Sequence, residues 1–199
     1  MNNKRENTYK LQLEQKKYDF DFVKKCIEEI LKLDVNNKLV VSSGIVPYLI
    51  LNLSSNREHE NIDFLCEFKD IEYLRNYFVN DLSFKLLGDS LNNNKGDYGF
   101  VIEYKGVPVG IYPYYIKDGI VFEKNYYYYS NDQFTRIIKN INADSFVFVR
   151  NNVKYQSLEV IIKKKFQQNR PKDQRDIETL IKCGVDVEKA KQIEIDEID

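Results

Sequence analysis

The chain has 199 residues, of which 43% are hydrophobic and 31% charged, enough for one compact core or for two small lobes. Its 30 lysines and arginines nearly balance its 31 aspartates and glutamates, which argues against a bulk binder of nucleic acid or of membrane surfaces. Three widely spaced cysteines without a CxxC pair predict neither a zinc site nor a disulfide framework. No apolar run approaches the ~20 residues of a membrane span, and the polar residues 1–16 lack a signal-peptide core. We therefore expect a soluble cytoplasmic protein.

The first half of the chain alternates helix and strand signals. Apolar residues recur at the helical 3.6 period before a small-residue turn, Ser42-Ser43-Gly44, which joins a short strand to a helix. A second strand then leads into a helix with Asp70 as its N-cap. The predicted elements are helices over 18–33, 48–53 and 70–78 and strands over 38–41, 61–66 and 84–87.

The second half begins with the clearest hairpin, in which Lys105-Gly106 joins two apolar runs. A two-residue turn there places Val101 opposite Gly110 and Glu103 opposite Pro108. Helices are predicted from Ser157 to about 168, and from a cap at Asp173 to a stop before Gly184. The other predicted elements are strands over 98–104, 107–115 and 120–129 and a hairpin over 146–155. The order indicates an α/β (α+β) fold with a mixed sheet flanked by helices. We expect a core over 1–130, and over 131–199 a strand hairpin and helical region that packs on it.

The segment around residues 57–64 carries the chemistry. Asn61 and Asp63 lie two apart on a predicted strand, so they project from one face. Paired oxygen ligands at this spacing suit Mg²⁺, which also binds nucleotide phosphates. The Ser43-Gly44 turn opens a helix whose N–H groups can face a phosphate, and Arg57 suits the same ligand.

This segment resembles the nucleotidyltransferase superfamily, in particular antibiotic nucleotidyltransferases of the aminoglycoside and lincosamide type. The family combines a Gly-Gly or Gly-Ser turn with an Asp-x-Asp strand. Here Asn61 stands where the first aspartate would be, and Gly110 stands where a third carboxylate is expected. A C-terminal basic run is similar to a family stretch beside the nucleotide. The resemblance implies metal contacts from Asp63 and Asn61 and nucleotide contacts from Ser43, Gly44, Arg57, His59, Lys165, Arg170 and Lys172.

Three functions are compatible with these residues. The first is Mg²⁺-dependent transfer of a nucleoside monophosphate from a nucleoside triphosphate to a hydroxyl on a small molecule, a nucleic acid end or a protein. Asp63 would hold the metal, and Glu103, which shares a hairpin face with Gly110, would be the general base. The second is a catalytically silent relative that binds a nucleotide or a protein partner, since two expected carboxylates are Asn61 and Gly110. The third is a structural domain that binds no nucleotide.

Several of these residues also have ordinary structural interpretations. His59, the only histidine, fits either a structural role or a nucleotide contact. The four tyrosines at 126–129 fit an edge strand with alternating side chains, or a stacking surface for a base or a ring-bearing acceptor. The basic side chains at 163–165 and 170–172 fit a solvated helix surface or a phosphate site.

Overall fold

The computed structural model describes residues 15–34, 36–93 and 95–199, so most of the polar segment at 1–16 lies outside the described residues. We number the elements in chain order. The helices are α1 (Phe20–Leu33), α2 (Val46–Leu51), α3 (Ile71–Asn76), α4 (Leu158–Gln168), α5 (Asp173–Lys182) and α6 (Val187–Gln192). The strands are β1 (Val40–Val41), β2 (Ile62–Glu67), β3 (Lys85–Asp89), β4 (Phe100–Tyr104), β5 (Val107–Lys117), β6 (Ile120–Tyr127), β7 (Asp132–Lys139), β8 (Val147–Arg150), β9 (Val153–Gln156) and β10 (Glu194–Ile198).

In the described part of the chain, these strands form one mixed sheet in the order β10-β7-β6-β5-β2-β1-β9-β8, with β4 also on β5 and β3 on β4. The β2–β5 and β1–β9 pairs are parallel and the other pairs are antiparallel. The long strand β5 pairs with β4 through its first half and with β6 through its last residues. The mixed sheet and its helices confirm the predicted α/β (α+β) fold class.

Residue pairs with positive φ set the hairpin registers. Lys105 and Gly106 have φ of 51° and 84°, and Asn151 and Asn152 have φ of 51° and 62°. Two consecutive residues with positive φ give the turn whose twist matches a two-residue hairpin. The first turn pairs Val101 with Gly110, as the sequence predicted.

The two faces of the sheet carry different cores. In β2, Phe64 belongs to the larger cluster, which packs α1, α2 and α3 against one face. The next residue, Leu65, belongs to a smaller cluster on the opposite face with Tyr114 and Val160. Since side chains alternate along a strand, Asp63 lies on the same face as Leu65. The candidate site therefore lies on the face with the smaller core.

Helix α1 follows directly from its sequence. The Asp19 carboxylate accepts hydrogen bonds from the backbone N–H groups of Asp21 and Phe22, which are otherwise unpaired at a helix start. Phe20 and Ile27 are on its buried face. Ser157 caps α4 in the same way through the N–H of Val160, as predicted.

Two strands and two caps differ from the sequence predictions. Strand β7 was not predicted, and the chain ends its described part in β10 rather than in a helix. Asp70 precedes α3 but does not cap it, because its carboxylate contacts Lys38. Asp173 is the first residue of α5 rather than its cap, and its carboxylate is buried against basic side chains.

The predicted regions 1–130 and 131–199 share the sheet, since β6 and β7 form a hairpin across residue 130. The prediction of an edge strand at the tyrosine run was wrong, because β6 lies between β5 and β7. Within residues 15–34, 36–93 and 95–199, no helix combines the length and apolar character that a membrane crossing needs.

Candidate functional site

Asp63 lies near the centre of the sheet, beside the turn that precedes α2. Its carboxylate accepts a hydrogen bond from the Ser43 hydroxyl at 3.0 Å and another from the Asn61 side-chain amide. Its backbone carbonyl accepts from the Ser42 N–H. Burial raises the pKa of Asp63 above the ordinary aspartate value. On the neighbouring strand Gly110, the residue at the position of the expected third carboxylate, pairs directly with Asp63.

Ser43 adopts a backbone conformation that side chains disfavour. Its φ of 68° lies in the left-handed region, which costs a non-glycine residue about 1–2 kcal/mol. The hydrogen bond from its hydroxyl to Asp63 and the packed α2 hold it there. Strained backbone of this kind is concentrated at binding sites.

Gly44 follows at a point where α5 approaches the turn closely. A Cβ at Gly44 would lie 2.7 Å from Nη1 of Arg57 and closer still to the carboxylate of Asp176. A glycine is therefore required for this approach, which brings the Ser43-Gly44 turn against the C-terminal helices.

An ion-pair network joins the turn to the C-terminal helices. Arg57 contacts the fully buried carboxylate of Asp176, which also pairs with Lys165 at 2.8 Å. Lys165 pairs with Asp173 at 2.8 Å, and Arg170 binds both oxygens of Asp173. Burial alone would raise the pKa of Asp173, but Arg170 and Lys165 lower it well below the ordinary value. Three of the predicted nucleotide-contacting residues thus lie together, held by two buried carboxylates.

Lys172 lies on the same side of the site and is slightly more exposed than the residues of this network. Its ammonium lies 3.3 Å from the nearer carboxylate oxygen of Glu60, and its side chain is 21% exposed. Burial and the nearby Arg170 lower the pKa of Lys172. Of the predicted basic residues, it has the most exposed side chain.

His59 is buried between the network and α1. Its backbone exchanges two hydrogen bonds with Tyr18, and its ring packs on Phe20 with centroids 5.8 Å apart. Burial, and then the positive charge of Arg57, lower the pKa of His59 to about 3, so its imidazole is neutral. Its Nε2 has no hydrogen-bond partner among the described residues.

A second charged cluster, centred on Glu123 of β6, lies in the same cleft and was missed by the sequence analysis. Glu123 is 1% exposed and accepts from Arg136 at 3.0 Å, Gln156 at 2.7 Å and Lys164. Burial opposes ionisation of Glu123, but Lys164 and Arg136 lower its pKa to about 2. Burial lowers the pKa of Lys164 to about 8. The signal was hidden because Arg136 belongs to β7, which the sequence pattern did not reveal.

The tyrosine run forms one wall of the cleft. Tyr127 stacks on Tyr129 with ring centroids 5.9 Å apart, and Tyr128 meets Tyr129 edge-on at 5.2 Å. Tyr126 is buried, and its hydroxyl donates to the Asn131 side chain. The wall faces the same space as Asp63 and the basic side chains.

Glu103 is placed differently from the other predicted residues. It pairs with Pro108 in the hairpin register, as predicted, and so shares a face with Val101 and Gly110. Its carboxylate lies 3.1 Å from Lys85 of β3, and it is not among the residues that line the cleft. The structure thus brings the remaining predicted site residues to one cleft and leaves Glu103 outside it.

Basic side chains outnumber carboxylates among the residues that line this cleft. Among the described residues that line it, six basic side chains outnumber three carboxylates. The carboxylates are those of Glu60, Asp63 and Glu123, and the basic residues are Arg57, Arg136, Lys164, Lys165, Arg170 and Lys172. Behind this surface, Asp173 and Asp176 are buried and Glu197 lies 2.8 Å from Arg136, so six carboxylates in total balance the six basic side chains.

The donor set around Asp63 does not fit a pair of magnesium ions. Magnesium needs oxygen ligands in near-octahedral geometry, and two-metal sites share several carboxylates. Here the Asn61 amide donates a hydrogen bond to Asp63, and Gly110 supplies no ligand. No group of three or more His, Cys, Asp or Glu side chains that could hold a metal occurs in the described ranges.

Comparisons with known proteins agree with the fold. No family model and no curated protein matches the sequence. The structure is similar to the solution structure of the antibiotic-resistance factor ANT(2'')-Ia, an aminoglycoside nucleotidyltransferase whose conformational dynamics are described as substrate-regulated. The TM-score is 0.55 and the sequence identity 18%, over 84% of this chain and 86% of that chain. At this identity the similarity establishes a nucleotidyltransferase-like fold.

Proposed function

We propose that this chain binds a nucleoside triphosphate in the cleft as a relative of the nucleotidyltransferases with little or no capacity for transfer. The supporting observation is the convergence of Arg57, Lys165, Arg170 and Lys172 beside Asp63, from segments more than 100 residues apart. Guanidinium and ammonium groups form charge-assisted hydrogen bonds to phosphate oxygens. The buried carboxylates orient these groups before any ligand arrives, which reduces the entropic cost of binding.

The opposite wall suits the remainder of a nucleotide. The stacked Tyr127–Tyr129 pair offers an aromatic face to a base, and such stacking is worth about 1–3 kcal/mol per base. In this arrangement the phosphates lie against the basic side chains and the base lies against the tyrosines.

The argument against efficient transfer rests on the same residues. Transfer to a hydroxyl needs a base within hydrogen-bond reach of the acceptor and enough charge to stabilise the reacting phosphate. Glu103, the predicted base, contacts Lys85 outside the cleft. Asn61 and Gly110 supply neither a charge nor a base. The second candidate, transfer to a hydroxyl acceptor, is favoured by the retained Asp63, which lies beside the Ser43 hydroxyl.

Calorimetric titration of the pure protein with ATP, GTP, CTP and UTP tests the binding proposal. We expect saturable binding that Lys172→Ala weakens by roughly tenfold, which corresponds to one lost charge-assisted hydrogen bond. The matched control is Lys163→Ala on α4, because Lys163 contacts the Lys191 carbonyl outside this cleft. No binding of any of the four nucleotides, with or without Mg²⁺ or Mn²⁺, would refute it.

A pyrophosphate-release assay separates the two candidates. The protein is incubated with each nucleotide and a panel of hydroxyl-bearing acceptors, and we expect no release above the rate of a protein-free control. Acceptor-dependent release that Asp63→Asn abolishes would establish the transferase instead.

A further inference from the structure

The space above Gly110 is filled by the side chain of Tyr112. Gly110 pairs with Asp63 on one side and with Val101 on the other, so its vacant side-chain position faces the cleft. A Cβ at Gly110 would lie 2.6 Å from Cε2 of Tyr112 and closer still to its hydroxyl oxygen. Gly110 does not have a left-handed backbone, so the obstacle to a side chain here is Tyr112 itself.

Both side-chain hydrogen bonds to the carboxylate of Asp63 come from neutral groups. One oxygen accepts from the Asn61 amide and the other accepts from the Ser43 hydroxyl at 3.0 Å. On the adjacent strand, the phenol of Tyr112 takes the position that a residue 110 side chain would occupy. Both oxygens of the single carboxylate that a divalent cation would use are thus engaged as hydrogen-bond acceptors, and the neighbouring position at residue 110 offers a neutral phenol.

We propose, on the basis of the nucleotide binding inferred above, that Asn61 and Tyr112 make this cleft a metal-independent site for a free nucleoside triphosphate. The Tyr112 hydroxyl donates a hydrogen bond to the polyphosphate in the space that a metal ligand would take. The basic side chains of Arg57, Arg170 and Lys172 donate charge-assisted hydrogen bonds to the phosphate oxygens that magnesium would otherwise coordinate. Free magnesium then competes with the protein for the triphosphate.

Titration of the full chain with ATP in EDTA and in excess MgCl₂ tests this inference. We expect the wild-type affinity in EDTA to equal or exceed the affinity with magnesium. Tyr112→Phe, which keeps the ring over Gly110, should weaken binding in EDTA by roughly fivefold or more, the value of one hydrogen bond. The matched control is Tyr115→Phe on the same strand, because Tyr115 stacks on Phe122 away from the cleft and its variant should bind like wild type.

A gain-of-metal experiment gives an independent measurement. Asn61→Asp with Gly110→Asp restores two carboxylates but leaves Tyr112 in the way, so this double variant should be destabilised and bind Mn²⁺ no better than wild type. The triple variant with Tyr112→Ala should gain Mn²⁺ affinity by at least tenfold, as measured by Mn²⁺ titration without nucleotide. Thermal melting of each variant checks that it is folded under the conditions of the titration.

The possible outcomes are distinguishable. Binding of ATP that is at least tenfold tighter with magnesium would overturn the inference and leave nucleotide binding intact. Equal affinities of Tyr112→Phe and Tyr115→Phe in EDTA, or a triple variant without Mn²⁺ affinity, would also overturn it. Absence of ATP binding in both conditions would overturn the proposed function as well.

Discussion

Replacement of Gly44 by alanine tests how closely the Ser43-Gly44 turn packs against α5. The added Cβ would lie 2.7 Å from Nη1 of Arg57 and would overlap the carboxylate of Asp176. Real Cβ contacts are essentially never shorter than 3.0 Å, so one partner must move. Asp176 cannot turn away freely, because it is fully buried and paired with Lys165 at 2.8 Å.

The expected cost of Gly44→Ala follows from this geometry. Overpacking of a close contact costs about 1–3 kcal/mol, and complete loss of a buried ion pair costs about 3–5 kcal/mol. We therefore expect the free energy of unfolding, measured by urea titration, to fall by about 2–4 kcal/mol. The control is Gly119→Ala, which meets no atom within 4 Å but has φ of 74°, and should lose only about 1 kcal/mol. A loss no larger for Gly44→Ala than for Gly119→Ala would refute the described packing.

Two further predictions concern buried charges. Glu123→Gln removes the carboxylate that pairs with the buried Lys164 and leaves Arg136 with Glu197 alone, so it should lower the free energy of unfolding by about 3–5 kcal/mol. Adding Lys164→Met should restore part of this loss in urea titrations, and an additive double variant would contradict the pairing. The pKa of His59 is lowered from 6.5 to about 3, so the unfolded chain binds the proton more readily and stability falls as the pH decreases from 6.5 toward 3. Between pH 6.5 and 5 the wild type should lose about 2 kcal/mol more than His59→Gln, and identical pH profiles would show that His59 is not buried as a neutral group.

The sequence predicted the central part of the fold because local signals there agree with tertiary packing. The Lys105-Gly106 turn determines the pairing of Val101 with Gly110, and strand periodicity predicted that Asn61 and Asp63 share a face, where both line the cleft. The Ser157 cap marked the start of α4. In each case a short-range physical rule determines the structure with little help from distant residues.

The features that were missed depend on distant contacts. Asp173 is a residue type that often caps helices. Here its carboxylate pairs with Lys165, eight residues earlier, and does not cap the start of α5. Arg136 and Glu123 are charged residues on central strands, where local patterns suggest exposed positions, and their burial follows only from mutual pairing across β6 and β7. The position of the Tyr112 ring over Gly110 could likewise not be predicted, since sequence periodicity does not determine the rotamer of a side chain.

The tie between Arg57 and Asp176 couples ligand occupancy to local opening of the chain. The two residues are 119 positions apart, so the cleft exists only while α5 is docked on the turn. A ligand that binds only the docked state stabilises it by RT ln(1 + L/Kd), where L is the free ligand concentration. Nucleotide should therefore slow amide hydrogen exchange along the whole of α4 and α5, beyond the residues that it contacts, and protect the connector that contains Arg170 from proteolysis.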